Sequence, residues 1–580
     1  MKRRTLAGCA AYLSLVTIVL SATPSLLLAQ NLQVTSATPP AAPQGTTNLN
    51  VVVGGNGFAK GAKAAFYLSG TNNPAGVTVN STAFNSKSQV TANINVADTA
   101  TISNFDVMVT NTDGRSGKGT QLFSVTAKGT PVGCTTLGTP SGFTLASTLN
   151  YVNSSGAPQY QPHLGTVMSV RPVTLTNGSD YHTVQIAAVG SGNNSGRMEF
   201  FFLDPTTGQV LDGTAIVGTQ VQPHITVQFD STATIGARVI GAGDVNADGI
   251  PDFVVGSIDN NTAIAFLGSM DANGILSYKF VYLSPPASNL GNFGKSVATG
   301  TLDGSSAGDE IIVSGTISTG VKKGTEGAVY IFRFNGSGFD LIQTVVSPLV
   351  NNDGGFGKSL AVGDVTGDGV PDLMVGAPST TVGAASDAGA VFVFPSPLTS
   401  TTYFMLTTGI SSDFIGTKVG SGMLSSATAT DVIATSTSSS NPRDVLFSGP
   451  ITGNRTASSF DFLPDKGLTG GWATSFDTGD ITGDGHVEVL VGAPNASNSN
   501  SCNSSVGAAQ LFLSNPSNPS QPTLTIFQPP TVDPSFGGFG FGVGLVPYSL
   551  GNPPLLMVGE NGRDMGGVTG AGQVYVYRKN

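Results

Sequence analysis

Short apolar runs separated by turns rich in Gly, Asn and Asp extend along most of the chain. Near the N-terminus, apolar residues alternate with polar ones in residues 49–53, 90–96 and 105–109. Period-two alternation is typical of strands that bury one face. Farther along, short apolar segments such as 329–332 and 391–394 recur between turns. The pattern predicts an all-β protein.

One unit, residues 356–378, combines two apolar runs with a polar loop between them. Oxygen side chains stand at positions one, three, five and nine of that loop, as Asp364, Thr366, Asp368 and Asp372. Gly369 at position six permits a sharp turn. This is the oxygen spacing of a calcium loop, related to the EF-hand loop but shorter. The unit therefore predicts a hairpin of two strands around a metal loop.

The same unit returns twice at matched offsets. The oxygen side chains of the two further loops are Asp244, Asn246, Asp248 and Asp252 in one, and Asp480, Thr482, Asp484 and Glu488 in the other. The backbone carbonyls expected to complete the three ligand sets belong to Ile250, Val370 and His486. Several carboxylates and hard oxygens favour calcium over zinc. The alternative is a turn held by Asp side-chain hydrogen bonds without any metal.

Weaker copies of the loop have lost part of the ligand set. The copy with Thr301, Asp303, Ser305 and Asp309 lacks the first carboxylate and the glycine at position six, so metal binding there stays open. Copies at 423–431, near 173–180 and at 545–553 lack a ligand set. We interpret these three as turns without metal.

The repeats have a period of roughly 60 residues, a spacing that suggests the blades of a propeller. They start near residues 164, 235, 293, 356, 415, 472 and 539. Third and fourth apolar segments in most repeats predict four strands per blade, and hence a seven-bladed β-propeller over residues 143–580. The last repeat lacks a fourth strand, so we expect 143–152 to close the ring as its outer strand. Closure would remove exposed pairing edges.

Residues 143–580 resemble the FG-GAP repeat family, which forms the propeller at the head of integrin α-chains. The namesake residues are Phe356-Gly357, Gly376-Ala-Pro378 and Gly492-Ala-Pro494. The resemblance implies calcium in the hairpin loop between the first two strands of a blade. It does not by itself imply an integrin-type ligand.

Residues 31–127 predict a small β-sandwich that precedes the propeller. Their order of motifs is similar to the immunoglobulin-like IPT/TIG family, through 37–39, 45–47, Gly57-Phe58, 109–114 and 123–125. Domains of that family are mostly spacers or binding modules, and we expect a spacer here. Residues 128–142, rich in Gly, Pro, Ser and Thr, predict a linker.

The charge and the N-terminal segment limit the partners and the location. A net charge of −10 argues against nucleic-acid binding. Residues 1–29 combine basic residues, an apolar stretch and a plausible cleavage point after Ala29, as in a secretory signal. Retention as a membrane anchor is the alternative. No other stretch is long and apolar enough to span a membrane. We therefore expect a monomer that is secreted or displayed on the cell surface, with the periplasm as a further possibility.

Two cysteines, Cys134 and Cys502, would remain after cleavage of the signal. The predicted strand order puts their connections on opposite faces of the propeller, whereas a disulfide needs Cα atoms within about 7 Å. We expect both thiols to be free.

The sequence favours a binding or adhesion module for an unidentified protein or glycan, with calcium as its only cofactor. A carbohydrate-active enzyme and a purely structural envelope component are the alternatives. Charged residues are only 10% of the chain, and nine of the 35 acidic ones lie in the three metal loops. We therefore predict no catalytic residues and no enzyme activity.

A ligand is expected on the rim opposite the metal loops. The connections predicted there include 316–327, 379–389, 495–506 and 560–572, which are longer than the metal loops. Long loops on a rigid scaffold commonly carry binding residues. Trp472, the only tryptophan, either anchors a partner there or takes the buried Phe position of its repeat.

Overall fold

The computed structural model describes the chain from residue 32 onward, and all of its regular elements are β-strands. The ranges outside the description are 1–31, 44–45, 47–48, 98, 127–138, 151–163, 178–179, 192–196, 212–223, 229–239, 258–259, 273–274, 306–307, 319–325, 350–353, 426–428, 440, 465–469, 497–505, 516–521, 531–537, 548–551 and 564–571. The predicted signal segment and both cysteines, Cys134 and Cys502, fall in these ranges. The described part contains no helix that could cross a membrane. The all-β prediction is confirmed.

The chain divides into two compact units, Met1–Val132 and Gly133–Asn580. The first contains the described strands β1 (Gln33–Thr38), β2 (Ala41–Pro43), β3 (Leu49–Asn56), β4 (Lys63–Leu68), β5 (Val77–Ser86), β6 (Gln89–Val96), β7 (Ser103–Thr110) and β8 (Ser116–Thr126). They form two sheets, in the orders β1-β3-β6-β5 and β2-β8-β7-β4, and only β2 and β8 pair in parallel.

The apolar positions of the alternating segments form the core of the first unit. Val51, Val90, Ile94 and Val107 are fully buried, whereas Leu49 is half-buried. Alternation thus places one face of each strand inward, as period two requires.

Seven antiparallel sheets, named A to G, follow in the described part of the second unit. Sheet A has β10 (Leu164–Asn177), β11 (Asp180–Ser191), β12 (Arg197–Leu203) and β13 (His224–Gln228). Sheet B has β14 (Ile240–Gly243), β15 (Asp252–Ser257), β16 (Thr262–Met270) and β17 (Leu276–Leu283). Sheet C has β18 (Asn289–Gly291), β19 (Val297–Gly300), β20 (Glu310–Ile317), β21 (Glu326–Phe334) and β22 (Phe339–Val346).

Sheet D has β23 (Ser359–Gly363), β24 (Asp372–Ala377), β25 (Ala390–Phe394) and β26 (Phe404–Leu406). Sheet E has β27 (Val419–Gly422), β28 (Asp431–Ser436), β29 (Arg443–Phe447) and β30 (Phe460–Phe462). Sheet F has β31 (Ser475–Gly479), β32 (Glu488–Ala493), β33 (Ala508–Leu513) and β34 (Thr523–Phe527). Sheet G has β35 (Phe539–Val546), β36 (Leu555–Glu560), β37 (Gln573–Lys579) and, from before sheet A, β9 (Phe143–Leu149).

The sheets follow one another so that the series returns to its start. One strand of each sheet contacts the corresponding strand of the next sheet, and β35 of sheet G contacts β10 of sheet A. In chain order these strands are β10, β14, β19, β23, β27, β31 and β35. β9 pairs antiparallel with β37, from Val574 opposite Leu149 to Lys579 opposite Phe143. This pairing confirms the prediction that the segment starting at Phe143 supplies the missing outer strand.

Pairs of glycines set the contact between successive sheets. A Cβ added to Gly376 of sheet D would lie 2.1 Å from the carbonyl oxygen of Gly416, which opens sheet E. The same contact joins Gly492 to Gly540, at 2.0 Å. It also joins the last sheet to the first, because a Cβ on Gly559 would lie 2.2 Å from the oxygen of Gly165. No side chain fits between the backbones at these junctions.

Trp472 takes the Phe position of its repeat and lies in the core. Its side chain is 6% exposed, and its ring meets Phe512 edge-on with centroids 6.2 Å apart. Phe356 meets Phe392 in the same way in sheet D, with centroids 5.8 Å apart. The alternative, an exposed tryptophan that anchors a partner, is wrong.

Changing Gly376 to Ala should destabilise the second unit by about 1–3 kcal/mol, because the new methyl group collides with backbone that cannot move aside. Gly338→Ala is the matched control, since a Cβ at Gly338 meets nothing within 4 Å and should change the free energy of unfolding by less than about 0.5 kcal/mol. Urea denaturation of both variants measures the difference. Equal stabilities for the two variants would contradict the glycine contact.

Candidate metal centres

The three predicted metal loops connect the first and second strands of sheets B, D and F. They span 244–252 between β14 and β15, 364–372 between β23 and β24, and 480–488 between β31 and β32. The glycines at position six, Gly249, Gly369 and Gly485, have φ of 81°, 89° and 85°. This left-handed conformation strains any residue with a Cβ. These φ values agree with the expectation that the sharp turn at position six needs glycine.

The carboxylate at position one gathers backbone N–H groups of its own loop. In the 364–372 loop, Asp364 accepts from the N–H groups of Gly367 at 2.7 Å and Gly369 at 2.9 Å, one on each oxygen. Asp480 does the same with Gly483 at 2.6 Å and Gly485 at 3.0 Å. The carboxylate thereby shapes the turn.

Asp244 organises the first loop in a similar way. Its oxygens accept from the N–H groups of Asp248 at 3.0 Å and Gly249 at 2.9 Å. The side chain of Asn246 donates to the Asp248 carboxylate at 3.1 Å. Positions one, three and five therefore lie side by side in this loop.

The carboxylate at position five accepts the N–H of position seven in all three loops. The pairs are Asp248 with Ile250 at 2.8 Å, Asp368 with Val370 at 2.9 Å, and Asp484 with His486 at 2.9 Å. Asp248, Asp368 and Asp484 are exposed, whereas His486 is buried. The position-five oxygens therefore face solvent.

The carboxylate at position nine is buried and ties the loop to the third strand of its sheet. Asp372 accepts from the N–H groups of Val365 at 3.0 Å and Thr366 at 2.9 Å on one oxygen, and from Ser396 at 3.1 Å on the other. Val365 and Thr366 lie in the loop, and Ser396 follows β25. We name this arrangement the carboxylate latch.

The other two metal loops have the same latch. Asp252 accepts from Val245 N at 2.9 Å and from Gly268 N at 2.7 Å. Glu488 accepts from Ile481 N at 2.7 Å and from the Ser514 hydroxyl at 2.8 Å.

Burial is the main cause of raised pKa values at the latch. It raises the pKa of Asp252 to about 7, and it raises the pKa of Asp372 and of Glu488 above their ordinary values. Removing a carboxylate from water disfavours its charged form. Each loop therefore holds a carboxylate that a nearby cation would stabilise in its charged form.

Sheet E has the latch without the ligand set. Asp431 begins β28 and accepts from Leu424 N at 2.9 Å and Ser425 N at 2.6 Å. Its second oxygen accepts from Gly449 N at 2.8 Å. Residues 426–428 lie outside the description, and the interpretation of this loop as a turn without metal stays a prediction. The latch therefore occurs in a loop whose sequence lacks the predicted ligand set.

The loop in sheet C differs from its sequence-based interpretation. The strand β20 begins at Glu310, and Glu310, not Asp309, accepts the N–H of Leu302, at 2.8 Å. Asp309 turns to the neighbouring sheet, where it accepts the N–H of Asp244 at 3.0 Å. The assignment of Asp309 to position nine was wrong, because the loop contains one more residue than the other loops.

The donor set fits calcium in kind, although the side chains do not converge. Among the described residues, no three His, Cys, Asp or Glu side chains lie close enough to hold a metal ion. The reason is visible in the latch, which turns position nine toward backbone N–H groups. Each carboxylate oxygen has two lone pairs, so an oxygen that accepts one N–H can still bind a cation. Positions one, three and five supply the hard oxygens that calcium prefers.

The other predicted turns without metal are described only in part. In sheet A, 178–179 lie outside the described residues, and β10 and β11 pair up to Asn177 and Asp180. In sheet G, residues 548–551 of the predicted turn 545–553 lie outside the described residues.

An axial cavity of about 710 Å³ is lined by the inner strands of all seven sheets. Its charged lining residues are Arg171, Lys358, Lys418 and Asp477. Lys358 and Lys418 immediately precede β23 and β27, so they lie at the rim opposite the metal loops. Sequence reasoning missed this cavity, because residues from distant repeats form it.

Comparison with known proteins supports the repeat. Residues 356–394 and 472–509 match the profile described as FG-GAP repeat, and they contain the first three strands of sheet D and the first two strands of sheet F. No curated protein matches the chain. A solved structure titled "Structure of Dos1 propeller" aligns with 95% of this chain and 96% of its own, at 11% identity and a TM-score of 0.37. A TM-score this low does not establish that the two chains share a fold. The chain contains FG-GAP repeats, as its namesake motifs indicate, while the IPT/TIG resemblance stays a prediction.

Changing Asp431 to Ala should lower the free energy of unfolding by about 2 kcal/mol, because one buried and two part-buried backbone N–H groups lose their acceptor. The loss should be equal in chelator and in calcium, since the loop lacks the ligand set. Urea denaturation in both buffers tests this. The control is Asp340→Ala, which removes an exposed carboxylate of β22. A loss that appears only in calcium would contradict a purely structural latch.

Proposed function

We propose that this chain, which carries FG-GAP repeats, is a secreted or cell-surface binding module built as a seven-bladed propeller that calcium stabilises. The observation that carries the proposal is the shared arrangement of the loops 244–252, 364–372 and 480–488. Each joins the first and second strands of its sheet, and each turns its position-one carboxylate to the same backbone groups. Residues 31–127 act as an immunoglobulin-like spacer.

Electrostatics supports calcium as the cofactor. Each loop gathers three carboxylates within nine residues, for example Asp364, Asp368 and Asp372. Their mutual repulsion and the burial of position nine both favour a bound cation. Oxygen ligands and an exposed rim suit calcium at millimolar extracellular concentration.

The opposite rim supports ligand binding. The axial cavity has Lys358 and Lys418 at this rim, in a chain whose net charge is −10. The connection 379–389 between β24 and β25 leaves the sheet on the same side. A protein or glycan ligand would meet this rim.

The cavity favours binding over catalysis. The one carboxylate among its described lining residues, Asp477, accepts the N–H groups of Thr478 at 2.9 Å and Leu545 at 2.8 Å. A carboxylate held by backbone on both oxygens serves the scaffold and is a poor general acid or base. The proposal therefore includes no enzyme activity.

Calcium should raise the melting temperature of the full chain. One site at a ligand concentration of a hundred times Kd adds about 2.7 kcal/mol. The paired change Asp364→Ala with Asp368→Ala should remove one site and reduce the calcium-dependent shift. Differential scanning calorimetry in chelator and in millimolar calcium measures both effects.

The control for this experiment is Ser425→Ala in the 423–431 loop, which lacks the ligand set and should leave the calcium-dependent shift unchanged. Equal melting temperatures for the unmodified chain in chelator and in calcium would contradict the proposal that calcium stabilises the propeller.

Ligand binding should depend on the rim opposite the metal loops. Screening the calcium-loaded chain against glycan and matrix-protein arrays identifies the ligand. Replacing 379–389 by a short Gly-Ser loop should then weaken binding, whereas a matched Gly-Ser replacement of the exposed turn 335–338 on the metal-loop side should not. Undiminished binding by the first variant and loss in the second would reverse the assignment of the rims.

A further inference from the structure

The loop of sheet C faces an arginine where the other latch-bearing loops face an uncharged residue. Arg333 of β21 donates from Nε to Glu310 at 3.0 Å and from Nη2 to the same oxygen at 2.6 Å. Its Nη2 also contacts the carboxylate of Asp303, at position three of the loop. One guanidinium thus joins an outer loop carboxylate to the buried carboxylate of the latch.

The register shows that this arginine is a local substitution. Ile311 pairs with Phe332, so Arg333 stands across from Glu310. The residues across from the latch carboxylates of the other four sheets are Leu267, Pro395, Ser448 and Leu513. The only charged residue among these five positions is therefore Arg333, and it faces the one latch-bearing loop that has kept acidic residues but lost its first carboxylate.

Each acidic residue of the 301–310 loop accepts hydrogen bonds from the protein. Glu310 is 1% exposed and accepts Leu302 N on its second oxygen. Asp303 accepts the N–H of Ser305 at 2.8 Å. Asp309 accepts the Thr301 hydroxyl at 2.8 Å and the N–H of Asp244. The side chains that a metal would need are directed at the guanidinium or at the neighbouring sheet.

We propose that the Arg333 guanidinium takes the place of a metal ion in the 301–310 loop, so that this loop folds without calcium. The inference rests on the proposed function, because it divides the loops into calcium-binding ones and one with a built-in cation. A guanidinium suits the role, since it is always charged and its planar N–H groups bridge carboxylates.

Native mass spectrometry of the full chain, stripped with chelator and titrated with calcium chloride, tests the division. We expect three ions on the unmodified chain, three on Asp303→Asn, and two on the paired Asp364→Ala and Asp368→Ala variant. A fourth ion that disappears in Asp303→Asn would overturn the inference. No ion on the unmodified chain would overturn the proposed role of calcium, and the stability measurement below would then decide the inference by itself.

The stability measurement is made in chelator. Arg333→Met should lower the melting temperature by roughly 2 °C or more, because Glu310 stays buried without a counter-charge. Adding Glu310→Gln to that variant should recover part of the loss. Lys279→Met, which removes an exposed cation of β17, is the control and should melt like the unmodified chain.

Two results of the stability measurement would overturn the inference. One is an Arg333→Met variant as stable as the Lys279→Met control. The other is a loss that Glu310→Gln leaves unchanged, because the guanidinium would then act through packing of its stem and not through its charge.

Discussion

The close approach of successive sheets at paired glycines is the constraint on which the second unit depends. The glycine in the second strand of one sheet receives the carbonyl of a left-handed glycine that opens the next, as Gly376 receives Gly416 and Gly492 receives Gly540. The contact between Gly559 and Gly165 joins the last sheet to the first in the same way. Because backbone meets backbone there, the spacing between sheets is set by van der Waals contact of backbone atoms and not by side chains that could repack. This explains in physical terms why the glycines of the FG and GAP motifs occur together.

The carboxylate latch holds each hairpin loop at a fixed position in its sheet. Asp252, Asp372, Asp431, Glu488 and, with an additional residue, Glu310 all accept the N–H of the second loop residue. The latch is present in loops with the full predicted ligand set, in the loop of sheet E that lacks this set, and in the loop of sheet C that faces Arg333. The loop is therefore placed by hydrogen bonds to the backbone, and the proposed calcium ion would bind a turn that these bonds already shape.

The two rims of the second unit have different physical character. One collects carboxylates on short, tightly bonded turns, while the other bears the two lysines beside the axial cavity and, in sheets D, F and G, connections longer than the metal loops. Under the proposed function, this division separates stabilisation from recognition, so that changes in the loops proposed for recognition need not disturb the bonded turns.

The sequence by itself determined the strands, the repeat, the loops and the closing strand β9, because each depends on short-range periodicity or on spacing within one repeat. It left Trp472 open between an exposed anchor and the buried Phe position of the repeat, and the structure decided for burial. The sequence misplaced the end of the 301–310 loop, since one additional residue is invisible when no partner strand is known. Only the tertiary structure decided that Arg333 faces Glu310, that Asp309 turns to Asp244, and that Arg171 and Asp477 line one cavity. These contacts join residues from different strands or from distant repeats, and a linear pattern does not record the register and sheet packing that bring them together.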